Sequence, residues 1–299
     1  MSGLLLTTPR AWLRRHLRPG APSPLAGRMV LVTGGSSGIG AATAHAVAAR
    51  GATAIVVARR EDELLQVVRD IESRGGTAYA YPCDLTDGPA LDRLVATLLA
   101  EHGGVDMLVN NAGRSIRRSI ELSWTRMHDF ERTMAINYFA PVRLMLGLLP
   151  HMVEQRSGHV VNIQTWGVQV KAPKFSAYIA SKTALDTWSR IAGRELYGAG
   201  VTFSNVRMSL VRTDMIGPTD AYRQAPALTP EQAAARVVRA LEDRPVTLNT
   251  VAGNVAEVLN LVLPRASDAL QWSIGRRFPD SPAAVGTPPA DPADPADPL

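Results

Sequence analysis

The sequence predicts an α/β fold: a doubly wound parallel sheet with helices on both faces and a helical extension at its C-terminal end. Three observations carry this. Short apolar runs alternate with longer amphipathic stretches between residue 29 and about residue 206. The first of these runs, Met29 to Val32, contains no polar residue, as a strand covered on both faces requires. It also leads through a glycine-rich turn directly into an alanine-rich helix. Repeated strand–helix–strand units imply parallel strands joined by right-handed crossovers.

The elements follow in order. Strands are expected at 29–33, 53–58, 77–82, 107–109, 160–163 and 201–206. Helices are expected at 38–50, 61–74, 89–102, 125–149 and 178–197. The helix after the second strand stops at Gly75-Gly76, where the chain loses its helix-forming residues. Past residue 206 the pattern thins. A helix at 230–241 carries Glu231 in its first turn, and 246–250 has the composition of a last strand. Two further helices are expected at 251–263 and 266–276. Val251, Val255, Val258, Leu259 and Val262 recur at helical spacing and are read as core rather than as an acyl-chain groove.

Composition narrows the function. The 299 residues are 46% hydrophobic and 20% charged, an ordinary globular balance that excludes coiled coil, collagen and wholesale disorder. The one cysteine, Cys83, excludes an intrachain disulfide and a cysteine-rich metal site. No apolar run reaches the roughly 18 residues of a membrane span. The net charge of +5 is concentrated in Arg10, Arg14, Arg15, Arg18 and Arg28, because residues 1–28 contain no acid. The remainder is neutral, so the charge does not argue for a nucleic-acid surface. No residues have the spacing of a metal site.

The ends differ from the body. Residues 1–26 read as a basic extension and linker. A short helix near residues 9–18, with Trp12, Leu13 and Leu17 near one side, is a candidate for weak membrane-surface contact, competing with simple packing on the body. Residues 27–284 read as one catalytic domain, with the C-terminal helical extension beginning near 214. The Pro/Ala/Asp segment 285–299 reads as a disordered tail.

Three motifs carry chemistry. Thr33-Gly34-Gly35-Ser36-Ser37-Gly38-Ile39-Gly40 follows a strand and opens a helix. Glycines there permit a tight turn and let backbone N–H groups approach a pyrophosphate at the helix N-terminus. The second strand ends in Val57-Ala58-Arg59-Arg60. An acid at that point would accept the ribose 2′-hydroxyl of NAD; arginines suit the 2′-phosphate of NADP. The competing reading is a solvated helix start, with Glu61 and Asp62 as partners. Third, Tyr178 and Lys182 lie four apart on one helix face. A nearby ammonium favours phenolate, which would lower the Tyr178 pKa toward neutral. The chain has only three lysines among its 32 basic residues, so a lysine at 182 is a choice against its habit.

Together these residues resemble the short-chain dehydrogenase/reductase family. Thr33 to Gly40, Asn110-Asn111-Ala112-Gly113, Asn137 and Tyr178 to Lys182 match its motifs in order and spacing over about residues 27–215. The resemblance implies a single Rossmann-type domain, NAD(P)(H) as cofactor, and hydride transfer between it and a carbonyl or alcohol. It implies that Tyr178 is the general acid, that Lys182 holds the nicotinamide ribose, and that Asn137 supports a relay water. It further implies that Gly34, Ser36, Ser37, Gly38, Ile39 and Gly40 hold the pyrophosphate and that Asp84 and Leu85 border the adenine. Asn111, Ala112 and Gly113 would line the cofactor, with Val211 and Thr213 near the carboxamide. Two positions depart from the pattern. Thr165 stands where the family usually has serine, and Met208-Ser209 where it usually has Pro-Gly. Threonine keeps the hydroxyl and adds a methyl, so the expectation is activity with a reshaped pocket beside Trp166.

A narrower similarity is to the bacterial fatty acyl-CoA reductases of that family. It rests on residues 83–87, 110–118, 128–134, 137–139, 148–152, 175–178, 210–213, 215–216 and Phe278-Pro279-Asp280-Ser281. It implies NADPH-dependent reduction of a long-chain acyl-CoA or a fatty aldehyde. Two alternatives stay open: the same chemistry on another lipophilic ketone or alcohol such as a steroid, and an NADP-binding protein without turnover. Arg114, Arg117 and Arg118 are read either as contacts for CoA phosphates or as a solvated loop. His128 and His151 are read as surface or packing residues. The resemblance also implies a homo-oligomer formed through the 178–197 helix. A cytoplasmic location is expected, at the inner face of the membrane if the N-terminal segment docks there.

Overall fold

The apolar runs pair into one sheet of seven parallel strands. These are β1 (Met29–Thr33), β2 (Thr53–Ala58), β3 (Thr77–Pro82), β4 (Met107–Asn110), β5 (Gly158–Thr165), β6 (Val201–Met208) and β7 (Thr247–Leu248). Their order is β3-β2-β1-β4-β5-β6-β7. The structure is a computed structural model that describes residues 22–216, 225–280 and 282–285. The expectations for the short N-terminal helix and for most of the C-terminal tail lie outside the described residues.

The helices are α1 (Gly38–Ala48), α2 (Glu61–Glu72), α3 (Gly88–His102), α4 (Met127–Met134), α5 (Ala140–Glu154), α6 (Gly167–Val170) and α7 (Ser176–Glu195). They continue as α8 (Pro230–Asp243), α9 (Val251–Val262), α10 (Pro264–Arg277) and α11 (Pro282–Val285). Side chains alternate across a strand, so β1 sends Val30 and Val32 to one face and Leu31 to the other. Val30 and Val32 meet α1, α2 and α8 through Val47, Leu64 and Val237. Leu31 joins the cluster under α3, α5 and α7, with Leu91, Leu144 and Leu185. Both faces are thus covered, which explains why β1 and β2 contain so few polar residues.

Local chemistry sets the helix ends. Asp87 caps α3 by accepting from Ala90 N at 3.1 Å, and Gly103 closes it in the left-handed conformation, φ 68°. Thr229 and Gln232 form a reciprocal capping box at the start of α8, ahead of Pro230 at its first position.

Four expectations need correction. The helix expected over 125–149 is two helices, α4 and α5, separated by a π-helical turn at Ala135–Phe139. The cause is legible in Pro141. It lacks the N–H that an α-helix would direct to the carbonyl four residues back, on Asn137. The turn closes instead with the Ala140 N–H on the Ala135 carbonyl. The last strand is only Thr247–Leu248. α6 and α11 were not anticipated, being a single turn each. Finally, Val251, Val255, Val258, Leu259 and Val262 on α9 are exposed rather than core. Helical spacing shows that these residues share a face but not which way that face turns.

One buried group was not singled out in the sequence. His159 on β5 is fully buried between β6 and α8, with Nδ1 2.8 Å from Thr202 Oγ1 and Nε2 3.1 Å from the Ala240 carbonyl. Burial, aided by Arg244, pushes its pKa down to about 3. It stays neutral in the fold, whereas in the unfolded chain it binds a proton below about 6.5. Stability should therefore fall as pH drops below about 6.5, by about 1.4 kcal/mol per unit from this group alone. Urea midpoints measured down through this range should show that slope, and His159→Gln should flatten it.

Candidate active site

Strand order reverses between β1 and β4, and in such sheets the ligand crevice opens at the carboxyl ends of the strands flanking that point. The sequence motifs converge there. Gly34 and Gly38 adopt φ of 65° and 54°, conformations that favour glycine. A Cβ on Gly40 would lie 2.0 Å from the Gly34 carbonyl oxygen, so the turn folds tightly back onto the first turn of α1. Ser37 precedes that helix but makes no side-chain cap bond. The first N–H groups of α1 therefore receive no cap from it, an arrangement that suits an anion.

The turn is stapled to β4. Thr33 Oγ1 accepts from Asn111 N at 3.0 Å and Ala112 N at 3.1 Å, while Asn111 Nδ2 donates to the carbonyls of Thr33 and Gly34. Ser36 is half-buried in the turn, and Ile39, in the first turn of α1, packs against the core cluster. Gly35 N donates to the Val57 carbonyl, so the end of β2 lies beside the turn. Arg60 pairs with Glu63 at 2.6 Å. Arg59 is exposed and has no partner among the described residues. The solvated-helix reading thus holds for Arg60, though its partner is Glu63 rather than Glu61 or Asp62. Asp84 is exposed and accepts from Thr86 N at 2.8 Å, and Leu85 is buried against the core. On the far side Val211 bridges to Leu228, and Thr213 Cγ2 would sit 3.1 Å from a Cβ on Gly38, closing the crevice over α1.

Asn137 is fully buried in the π-helical turn. Its Oδ1 accepts from Arg114 N at 2.9 Å, and Nδ2 donates to the Arg114 carbonyl at 2.8 Å and to Ser181 Oγ at 2.9 Å. Both amide protons are used, so the side chain is a brace between the loop after β4 and α7. Gly113 is where this brace comes closest: a Cβ there would be 2.8 Å from Asn137 Oδ1 and 3.4 Å from Lys182 Nζ.

Tyr178 and Lys182 lie one turn apart on α7, facing the end of β5. Lys182 is buried and donates to the Ile163 carbonyl at 2.9 Å. Burial pushes its pKa down to about 8. Burial likewise pushes the Tyr178 phenol up to about 12, opposed only by a hydrogen bond from Thr165. The expected lowering of Tyr178 by Lys182 is therefore not produced by the protein's own groups. The ammonium is directed at Ile163, and desolvation dominates the phenol. At neutral pH Tyr178 is a protonated acid. Thr165 Oγ1 accepts from Gly167 N at 3.1 Å, so its hydroxyl proton is free to point at Tyr178.

The sequence reading gave no structural role to several residues that support this site. Asn110, Asn162 and Asn205 stand in register on β4, β5 and β6, all buried. Asn110 Nδ2 donates to Asn162 Oδ1 at 2.9 Å, and Asn162 Nδ2 to Asn205 Oδ1 at 3.2 Å. An asparagine in each of three neighbouring strands was the available signal. Asp129 on α4 was likewise given no role. It is buried among Arg118, Arg126 and Arg132, whose Nε, Nε and Nη2 atoms lie 3.1, 3.0 and 3.0 Å from its oxygens. Burial raises its pKa, and the hydrogen bonds from Arg126 and Arg132 outweigh this to hold the carboxyl below its usual range. Arg117 donates to the carbonyls of Phe278 and Pro279, so of the arginines at 114, 117 and 118 only Arg114 is left without a side-chain partner among the described residues. His128 is exposed and pairs loosely with Asp129, while His151 packs against Gly104. No group of His, Cys, Asp and Glu able to hold a metal occurs among the described residues.

A glycine-rich turn leading into an uncapped helix start, beside a half-buried phenol and hydroxyl and a buried lysine, defines a dinucleotide-dependent oxidoreductase of the short-chain type. Comparison with known proteins agrees. The short chain dehydrogenase family model matches residues 28–224, and the chain belongs to that family. An uncharacterized oxidoreductase of Mycobacterium tuberculosis is 47% identical over 264 residues, covering 87% of this chain and 77% of that protein. A fatty acyl-CoA reductase of Acinetobacter baylyi is 46% identical over 261 residues, covering 87% and 88%. Among solved structures, a short-chain dehydrogenase from Streptomyces avermitilis superposes with a TM-score of 0.71 at 33% identity, covering 85% of this chain and all of that one. A metagenomic short-chain oxidoreductase in complex with NADP gives 0.65 at 29% identity, covering 76% and 97%.

The buried lysine makes a pH prediction. Its ammonium is present below about pH 8 and lost above. If the ammonium serves the chemistry, kcat/KM for carbonyl reduction should fall about tenfold per pH unit above that point. A steady-state pH profile checks this, and a profile flat to about pH 10 would separate Lys182 from the rate.

Proposed function

We propose that this protein is an NADPH-dependent reductase acting on a long-chain fatty acyl-CoA or fatty aldehyde. The observation that carries the substrate reading is the relatedness to the Acinetobacter baylyi fatty acyl-CoA reductase. It runs for 261 residues, longer than the 28–224 span of the family model, and so includes sequence outside the common nucleotide-binding part. The NADP reading is supported by the unpartnered Arg59 at the end of β2, where a guanidinium suits a 2′-phosphate. It is supported also by the NADP complex of the metagenomic relative.

A bound dihydronicotinamide supplies the hydride; the chain's own residues do the rest. Gly34 to Gly40 and the start of α1 bind the pyrophosphate, with Asp84 and Leu85 bordering the adenine. Asn111, Ala112, Gly113, Val211 and Thr213 line the remainder of the crevice. Lys182, directed by the Ile163 carbonyl, holds the ribose. Tyr178 gives its phenolic proton to the carbonyl oxygen as negative charge develops there. Thr165 has one hydroxyl proton to donate, to the substrate oxygen before that transfer and to the phenolate after it. Asn137 braces the loop at Arg114, and Pro141 leaves its backbone carbonyl without an α-helical partner, so it is the group to hold a relay water. Exposed Arg114 at the rim is the cation for a CoA phosphate. Residues 27–284 form the catalytic unit, working in the cytoplasm as a homo-oligomer.

Two measurements test this. NADPH consumption with palmitoyl-CoA should be matched by release of free CoA and abolished by Tyr178→Phe. Consumption with aldehydes or ketones alone would replace the thioester by another lipophilic carbonyl, and binding without any turnover would replace the enzyme by a cofactor-binding protein. Arg59→Ala should raise KM for NADPH about 10- to 100-fold, the worth of a charge-assisted hydrogen bond, and leave KM for NADH unchanged.

A further inference from the structure

Helix α9 is inside out. Its polar residues Asn254, Glu257 and Asn260 recur every three positions and reach toward α6, although Asn254 and Glu257 also stay open to solvent. Asn254 Oδ1 and Glu257 Oε2 accept from Gln169 Nε2 of α6 at 3.1 and 2.7 Å, and Asn260 Nδ2 donates to the Gln169 carbonyl at 2.7 Å. Glu257 also lies 3.6 Å from Arg207 on β6. Gly253 is buried against the same glutamine, where a Cβ would lie 2.3 Å from Oε1. The apolar side chains point the other way. A surface helix in water normally does the reverse, turning its polar face to solvent.

The connection to α10 repeats the inversion. Its tip is Leu261-Val262-Leu263-Pro264, and the first three are 82%, 65% and 53% exposed. Turns between helices are ordinarily polar. Beyond the tip, Leu270 and Trp272 on α10 are exposed as well, and the Arg276 guanidinium lies 5.0 Å over the Trp272 ring. An apolar surface of this extent marks a place where something binds.

We propose that the α9–α10 hairpin docks on an anionic lipid bilayer, with its tip inserted at the boundary between headgroups and acyl chains. Charge and shape select this occupant. Across the hairpin Arg265, Arg276 and Arg277 are exposed against Glu257 and Asp268, and all three cations lie on α10, a balance complementary to anionic headgroups. Trp272 under Arg276 presents an apolar ring and a cation side by side, the pairing that suits a membrane interface. Leu261, Val262, Leu263 and Pro264 are exposed in succession across the one-residue break between the two helices, a run that suits a fluid boundary better than a flat self-complementary interface. The hairpin is joined to α6, the turn that follows Thr165, through the Gln169 contacts of α9. Docking is independent of the acyl-CoA reading, since it needs no substrate.

The full chain should co-sediment with phosphatidylcholine vesicles containing phosphatidylglycerol and much less with phosphatidylcholine alone. The double variant Leu261→Asp, Leu263→Asp should bind at least about tenfold more weakly, since each charge is costly at the boundary. It should keep the wild-type circular dichroism and NADPH affinity. A second measurement covers any misfolding of that variant. The one native cysteine, Cys83, is buried, so Val262→Cys accepts an environment-sensitive fluorophore at the tip, whose emission should shift to the blue with anionic vesicles. Three results overturn the proposal. One is an unshifted probe. Another is vesicle binding that survives the double variant but is lost on removing residues 1–21. The third is an absence of vesicle binding together with an oligomer that the double variant dissociates in sedimentation velocity, which makes this face an interface between copies.

Discussion

The amide of Asn137 holds three parts of the molecule in one place. Its oxygen and both its protons are used, on the backbone of Arg114 and the hydroxyl of Ser181. The loop after β4, the π-helical turn and the helix bearing Tyr178 and Lys182 therefore share one buried anchor. A buried amide left with one unmet group would cost about 1–3 kcal/mol, so each of the three segments is held by the needs of the other two. The turn itself follows from Pro141, which interrupts the α-helical ladder one turn downstream. A covalent constraint on one residue thus fixes where a polar group four positions earlier can stand.

Burial acts on the two titrating groups in opposite senses. It makes the phenol harder to ionise and the ammonium easier to lose. Both shifts favour neutral species, as expected where water is excluded and no carboxylate balances the lysine. The same environment strengthens any charge that does develop against fixed dipoles. Thr165 belongs to this balance: its oxygen is occupied by the Gly167 N–H, which orients the hydroxyl although the side chain carries an extra methyl.

The strands, most helices and the convergence of the glycine-rich turn, Asn111 and Tyr178 at one edge were all legible in the sequence. Each depends on local pattern and on chirality, which short segments encode. What was not legible depended on direction or on distant partners. Nothing local says that α9 turns its valines outward, because that is decided by Gln169, 85 positions from Asn254. Nor does Asp129 show that it gathers Arg118 and Arg126 beneath it. The position of Lys182 was foreseen, but the target of its ammonium, the Ile163 carbonyl, depends on how α7 lies over β5.

The three asparagines at equal height on β4, β5 and β6 have a consequence for how faithfully the sheet assembles. Apolar strands match one another almost equally well at several offsets, and a shift by one residue exchanges the two faces of a strand. The hydrogen bonds that link Asn110 to Asn162 and Asn162 to Asn205 form at one offset only. Thr165 stands three residues beyond Asn162 and the Ile163 carbonyl one beyond it, so the same row that forbids sliding also meters out where the reactive end of β5 stops. The polar residues give up some stability in exchange for a single alignment, and the chemistry inherits its dimensions from that alignment.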